Sequence, residues 1–243
     1  MGLFVYRGVK PIFGALVLVL LPAQPVTLKR TPKVDTTTTY AMKALIDLGG
    51  KDDIRFTGSF KEKTKSIADG KITTAIESRV SVEVLGIVRQ SAMMESRRVE
   101  TSTGALIEAA KTDSTLLFAA PRIDRLRAFI FPTVPVESGV GWWYLSEKDD
   151  NLKSPPSSSY LKLEGEEKLG ERDTWRASID AREVDIEYPT RVRGMVWLDK
   201  TDGSLVRGQW QIEGFVLNAT TPPMTARLEL SRVDLPDGKV PLN

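Results

Sequence analysis

The chain has 243 residues, with 34 Lys and Arg against 32 Asp and Glu and neither histidine nor cysteine. The missing histidine excludes Ser-His-Asp and Cys-His hydrolases and histidine-ligated zinc, copper or haem. Carboxylate-pair chemistry, Ser-Lys chemistry and oxygen-ligated metals remain open.

The first segment, MGLFVYRGVK, carries Arg7 and Lys10 and no acidic residue, and the ten-residue apolar run IFGALVLVLL follows from Ile12. Such a run suits a secretory signal peptide and falls short of the ~20 residues that span a bilayer. Residues 1–23 are therefore expected to be a signal cut near Ala23, with an uncleaved anchor as the alternative. The cut removes two cations and leaves 32 against 32, a neutral chain without the cationic surplus that nucleic-acid binding requires. It leaves no membrane span. The absence of cysteine fits a bacterial periplasm or envelope and rules out a lipid-modified cysteine.

The stretch TLKRTPKVDTTTT lacks periodicity, and residues 24–39 are expected to form a flexible arm. Alternation then begins: Tyr40, Met42, Ala44, Ile46 and Leu48 share one face, and Ile54, Phe56, Gly58 and Phe60 the next. After an Asp69-Gly70 turn, Ile72, Thr74 and Ile76 lead into Val80, Val82 and Val84. Residues 86–96 lose the pattern and are predicted to be a loop; strands follow around Thr103-Gly104. In PRIDRLRAFIFP, Pro121 suits a first helical turn, Ile123, Leu126 and Ile130 recur at three and four, and Pro132 stops the run, predicting a helix over 121–131.

PTVPVESGVGWWYL reads as extended and NLKSPPSSS as a loop. Five regular strands follow, with inner rows Leu161 to Gly165, Trp175 to Ala181, Val192 to Leu198, Val206 to Gly214 and Met224 to Leu230, each opposed by charged residues. Glycines inside these rows imply sharp bends or close approach of another element. The fold expected is mainly β (α+β): a strongly curved antiparallel sheet forming a half-barrel over 40–236, with one short helix on its concave side. It could comprise two sheet halves, 40–120 and 140–234, joined by the helix; 237–243 is a tail.

The motifs carry little chemistry. Asp199 to Gly203 lacks the ligand spacing of an EF-hand and reads as a hairpin loop. Ser159 and Lys162, three apart on a strand, face opposite ways and cannot act together. Asp149-Asp150 and Glu166-Glu167 read as solvated pairs. In Trp142-Trp143-Tyr144 the first and third aromatics are expected to anchor a strand, with Trp143 half exposed; the alternative is an exposed aromatic lip that meets lipid or a partner.

The order of signal, curved N-terminal sheet, Arg-rich short helix, PxVPVxxGxxWW segment and a hairpin containing Trp197, Leu198, Asp199, Asp202, Gly203, Leu205 and Val206 resembles exported bacterial proteins that share the half-barrel of the periplasmic lipoprotein carriers of the LolA and LolB type. Those carriers hold acyl chains between a concave sheet and its cover. The resemblance implies a lipid or lipoprotein partner and candidate lining residues Phe129 and Ile130 on the helix, with Val196, Trp210, Ile212 and Leu228 on the sheet. No catalytic residue, cofactor or metal is assigned. The alternatives are an interaction module acting through an outer face with Arg191, Arg193, Arg207 and Glu213, and, more weakly, a carboxylate-dependent hydrolase.

Overall fold

The computed structural model describes residues 24–48, 53–109, 120–216 and 222–235. The expected signal peptide and the tail lie outside the described residues.

One antiparallel sheet runs through both halves of the chain. Its first meander is β1 (Thr37–Asp47), β2 (Ile54–Ala68), β3 (Lys71–Val84), β4 (Ile87–Thr101) and β5 (Leu106–Glu108). After the helix α1 (Ala120–Leu126), the second is β6 (Gly141–Ser146), β7 (Ser157–Leu169), β8 (Arg172–Glu183), β9 (Arg191–Asp199), β10 (Leu205–Phe215) and β11 (Met224–Arg232). The strand order β5-β4-β3-β2-β1-β11-β10-β9-β8-β7-β6 joins the meanders through β1 and β11, with Met42 opposite Leu230 and Ala44 opposite Leu228. The two suspected halves are thus one sheet, and β5 and β6 end it without closing a barrel.

Registers place the expected apolar rows on one face. Trp210 pairs with Leu228 and with Gly194, and Val196 pairs with Ala177. Because side chains two apart share a face, these rows form a continuous inner surface. Leu161, Leu163, Ala177, Ala181 and Val192 on it are fully buried. The inner glycines have a definite job: a Cβ on Gly194 or on Gly208 would collide with the Trp210 indole, which lies against the sheet.

Four expectations change. Residues 87–96 are strand, paired along β3 from Ile87 to Thr101. Their inward row continues through Met94, Ser96, Arg98 and Glu100, too polar to show a hydrophobic period. The helix ends at Leu126, short of 131, because tertiary partners capture the backbone beyond it: the Ile130 carbonyl accepts Trp142 Nε1 at 2.9 Å, and the Phe131 N–H donates to Thr103 O at 2.8 Å. A bulge between Leu205 and Arg207 turns Val206 outward into a small cluster with Trp197 and Leu235.

The fourth change concerns the arm. Residues 24–36 form a strap laid along the sheet. Val26 pairs with Val136 at 2.8 and 3.0 Å, Leu28 is buried in the main core, and the Thr31 N–H donates to Asp202 O at 2.8 Å. A brief alternation of Val26, Leu28 and Arg30 toward the interior, hidden by the surrounding lysines and threonines, explains it.

Candidate functional site

Strap, α1 and residues 127–136 together cover the concave face, which supplies the cover that a single helix could not. Arg122 on α1 locks one end: its Nε and Nη2 donate to Glu183 at 2.7 and 2.5 Å, and Glu183 also accepts the Thr190 N–H at 2.8 Å. Under this cover most of the interior is filled. At the end where the strap crosses β2, β3 and β4, a cavity of about 130 Å³ remains.

Its wall is mixed. Phe129, Phe131, Val196, Trp210 and Leu230 give it an apolar side. The polar side comes from inward positions of the N-terminal meander, since Glu62 continues the Tyr40–Phe60 level of β2 and Thr74 pairs with Arg98 on β4. The cations lining it are Arg30, Lys33, Arg98 and Arg127. The carboxylates lining it are Glu62, Glu100, Asp124 and Asp202, so formal charge balances.

Arg98 is the hub. Its Nη2 pairs with Glu62 at 2.8 Å and its Nε lies 3.6 Å from Glu100, which also pairs with Arg30 from the strap. Arg127 pairs with Asp124 at 2.7 Å and holds its guanidinium 5.4 Å from the centre of the Trp210 ring, a cation-π contact. Tyr40, buried, donates to Leu205 O at 2.9 Å. Burial, and next the Glu62 charge, push the Tyr40 phenol well above its ordinary range. Burial, and next the Arg98 charge, hold Arg30 below the usual guanidinium range. For Arg98 burial works the same way but is outweighed by Glu62 and Asp124, so its pKa is raised.

Several buried atoms of this wall have no hydrogen-bond partner among the described residues: the nitrogens Arg30 Nε, Arg98 Nε and Trp210 Nε1, the Thr74 hydroxyl, and Glu100 Oε1, which has its ion pair with Arg30. Buried polar groups normally find one, so such a concentration marks a place where water or a ligand belongs. Every carboxylate of the cavity is already engaged, Asp202 by the Ser204 N–H at 2.8 Å and the others by guanidinium groups. That arrangement suits binding and orientation more than proton transfer. Among the described residues no group of three or more acidic side chains gathers at metal-binding spacing.

Of the six lining candidates, Phe129, Val196 and Trp210 border the cavity, whereas Ile130, Ile212 and Leu228 pack in the core beside it. Sequence reasoning missed Arg30, Glu62, Arg98 and Glu100. Parity offered one signal, because Glu62 stands two residues after the inward Phe60.

The remaining motifs behave as hairpin and surface chemistry. Asp199 Oδ1 accepts the Thr201 N–H at 2.9 Å, and Gly203 takes a left-handed φ of 70°. Ser159 is buried while Lys162, on the other face, pairs with Glu164 at 2.9 Å. Glu166 pairs with Lys200 and Glu167 with Arg176. On the outer face Arg191 pairs with Asp180 at 2.6 Å and Arg193 with Glu213 at 2.5 Å.

No protein-family model matches the sequence, and no curated protein matches it. Among solved structures the chain is similar to DynF from the dynemicin biosynthesis pathway of Micromonospora chersina, at 9% identity over 93% of this chain and 92% of that one, with a TM-score of 0.27. It is also similar to a DUF1329 family protein from Desulfovibrio piger ATCC 29098, at 12% identity over 86% of this chain and 88% of that one, with a TM-score of 0.25. Neither likeness assigns a family. No helix among the described residues is long and apolar enough to cross a membrane.

Proposed function

We propose that this chain is a non-enzymatic binding protein of a bacterial periplasm or envelope that holds a small amphipathic ligand under the strap. The observation that carries the reading is the half-apolar, half-charged cavity whose buried donors lack partners. The basic N-terminus and its ten-residue apolar run support export. The resemblance to lipoprotein carriers leads toward a lipid or a lipoprotein acyl chain. The cavity narrows that: at about 130 Å³, with roughly 30 Å³ per water, it holds about four waters, hence a ligand near benzene in size or the head end of a longer one.

The test is native mass spectrometry of protein purified from its own envelope fraction, followed by uptake of a fluorescent fatty acid. A bound small molecule or saturable uptake is expected. A clean apo mass with no uptake overturns the reading.

A second reading, an interaction module, is favoured by one feature. β6 ends the sheet with no charged residue in GWWYLS, and Trp143 and Leu145 on it are 68% and 74% exposed. Sheet edges are usually blunted by charge or proline. Capture of an envelope partner that is lost on Trp143→Lys would favour this reading over the first.

A further inference from the structure

We infer that the cavity selects the head end of a free monocarboxylate with an apolar body, taking the carboxylate at Arg30 and Arg98 and the first carbons of the body against Phe129 and Trp210. The inference rests on the reading of the cavity as a ligand site and adds the chemistry of the ligand.

The first argument is donor surplus. Two guanidinium groups present about ten N–H donors. They pair with Glu62 and Glu100, and the Nε of each lacks an acceptor at hydrogen-bonding geometry among the described residues. Trp210 Nε1 is a third donor without a partner, and the Thr74 hydroxyl can give or accept. Three donor nitrogens against one carboxylate oxygen, Glu100 Oε1, leave a net demand for acceptor oxygens. A cationic ligand would bring more donors to a wall that already has too many.

The second argument fixes the charge. Arg30 keeps an unpartnered Nε beside its pair with Glu100, and burial and its neighbour Arg98 hold its pKa down, so a further anion at that Nε favours the charged form. Only one negative charge is welcome, because Glu62 and Glu100 already stand against the same two arginines. A dianion such as phosphate would face both. A carboxylate matches the forked guanidinium geometry that these glutamates already use.

The third argument fixes the rest of the molecule. Across the cavity the wall turns aromatic and aliphatic at Phe129, Trp210 and Leu230, with Phe129 edge-on to Phe131 at 5.0 Å between ring centres. A ligand that is polar throughout would leave that side against water.

The test is isothermal titration of the full chain with octanoate, 1-octanol, octylamine and inorganic phosphate, on wild type, Arg30→Gln and Arg98→Lys, each checked by circular dichroism. Charge-assisted hydrogen bonds should make octanoate at least about tenfold tighter than octanol. Arg30→Gln should bring octanoate down to the octanol level and leave octanol unchanged. Should Arg98→Lys fail to fold, Arg30→Gln, on the strap, still decides the matter. Octanoate and octanol binding within twofold of each other overturns this inference and leaves the binding reading standing, as does displacement of octanoate by phosphate or octylamine. No binding of any of the four overturns both.

Discussion

The Trp210 indole occupies the space in which a Cβ on Gly208 would stand, and Gly194, directly opposite Trp210 on β9, leaves room for the other end of the same ring. Two glycines that weaken their own strands thereby allow the largest side chain of the inner face to lie flat, where it forms both core and cavity wall. Gly208→Ala should destabilise the protein by about 1–3 kcal/mol through overpacking. Urea unfolding of Gly208→Ala, Trp210→Leu and the double variant checks this. The double variant should lose less than the sum of the singles, since the smaller side chain removes the clash.

Arg122 and Glu183 join α1 to the sheet through a forked pair in which the Glu183 side chain is 2% exposed. Arg122→Met leaves that carboxylate with the Thr190 N–H as its remaining hydrogen-bond donor among the described residues. Removing one partner of a buried pair typically costs about 3 kcal/mol. Replacing both with methionine should cost less than the single change, measured by the same unfolding series. Equal and additive losses would mean that the pair does not hold the helix down.

The sheet was legible in the sequence where inner and outer rows differ in kind, and illegible where they do not. Leu161 and Leu163 alternate with Lys162 and Glu164, and Ala226, Leu228 and Leu230 with Arg227 and Glu229, and each inner residue lies where parity put it. β4 carries Ser96, Arg98 and Glu100 on its inner row, so its period is hidden by the polarity that makes the cavity. Phe129 and Ile130 kept the helical spacing of α1, yet the backbone there bonds to Thr103 and Trp142 from distant parts of the chain, which no local pattern reveals. The candidate site was half legible for the same reason. Its apolar wall stands in regular rows, while its charged wall depends on a strap, a bulge near Thr64 and a register that bring Arg30, Glu62 and Arg98 together.

Asp199 gives a pH dependence. Burial alone would raise its pKa, but the Thr201 amide and Arg172, whose Nη1 donates at 2.6 Å, outweigh burial and hold it below the ordinary value. A carboxylate with a depressed folded pKa contributes stability that is present above its unfolded pKa of about 3.9 and is lost as pH falls through the folded value. Asp199→Asn should therefore cost about 1.5–3 kcal/mol at pH 7. The gap to wild type should narrow as pH drops below about 4. Urea midpoints at pH 7, 5, 4 and 3 measure it. A gap that stays constant through that range would place the loss in packing alone.

Trp142 and Trp143 are neighbours with opposite roles. Trp142 donates its Nε1–H to Ile130 O and meets the Phe129 ring edge-on at 5.7 Å, which ties edge strand β6 to the cover of the cavity. Trp143 points outward, 68% exposed, against Tyr160 at 5.0 Å. Trp142→Ala should cost about 3 kcal/mol and loosen the cavity, weakening any bound ligand. Trp143→Ser should stay within about 0.5 kcal/mol of wild type, because surface changes away from caps and buried networks rarely exceed that. Iodide should quench a distinct red-shifted fraction of the emission in wild type, and that fraction should vanish in Trp143→Ser and survive in Trp142→Ala. If quenching is instead unchanged by Trp143→Ser, the Trp143 side of β6 is covered in solution, and the interaction reading gains over the binding one.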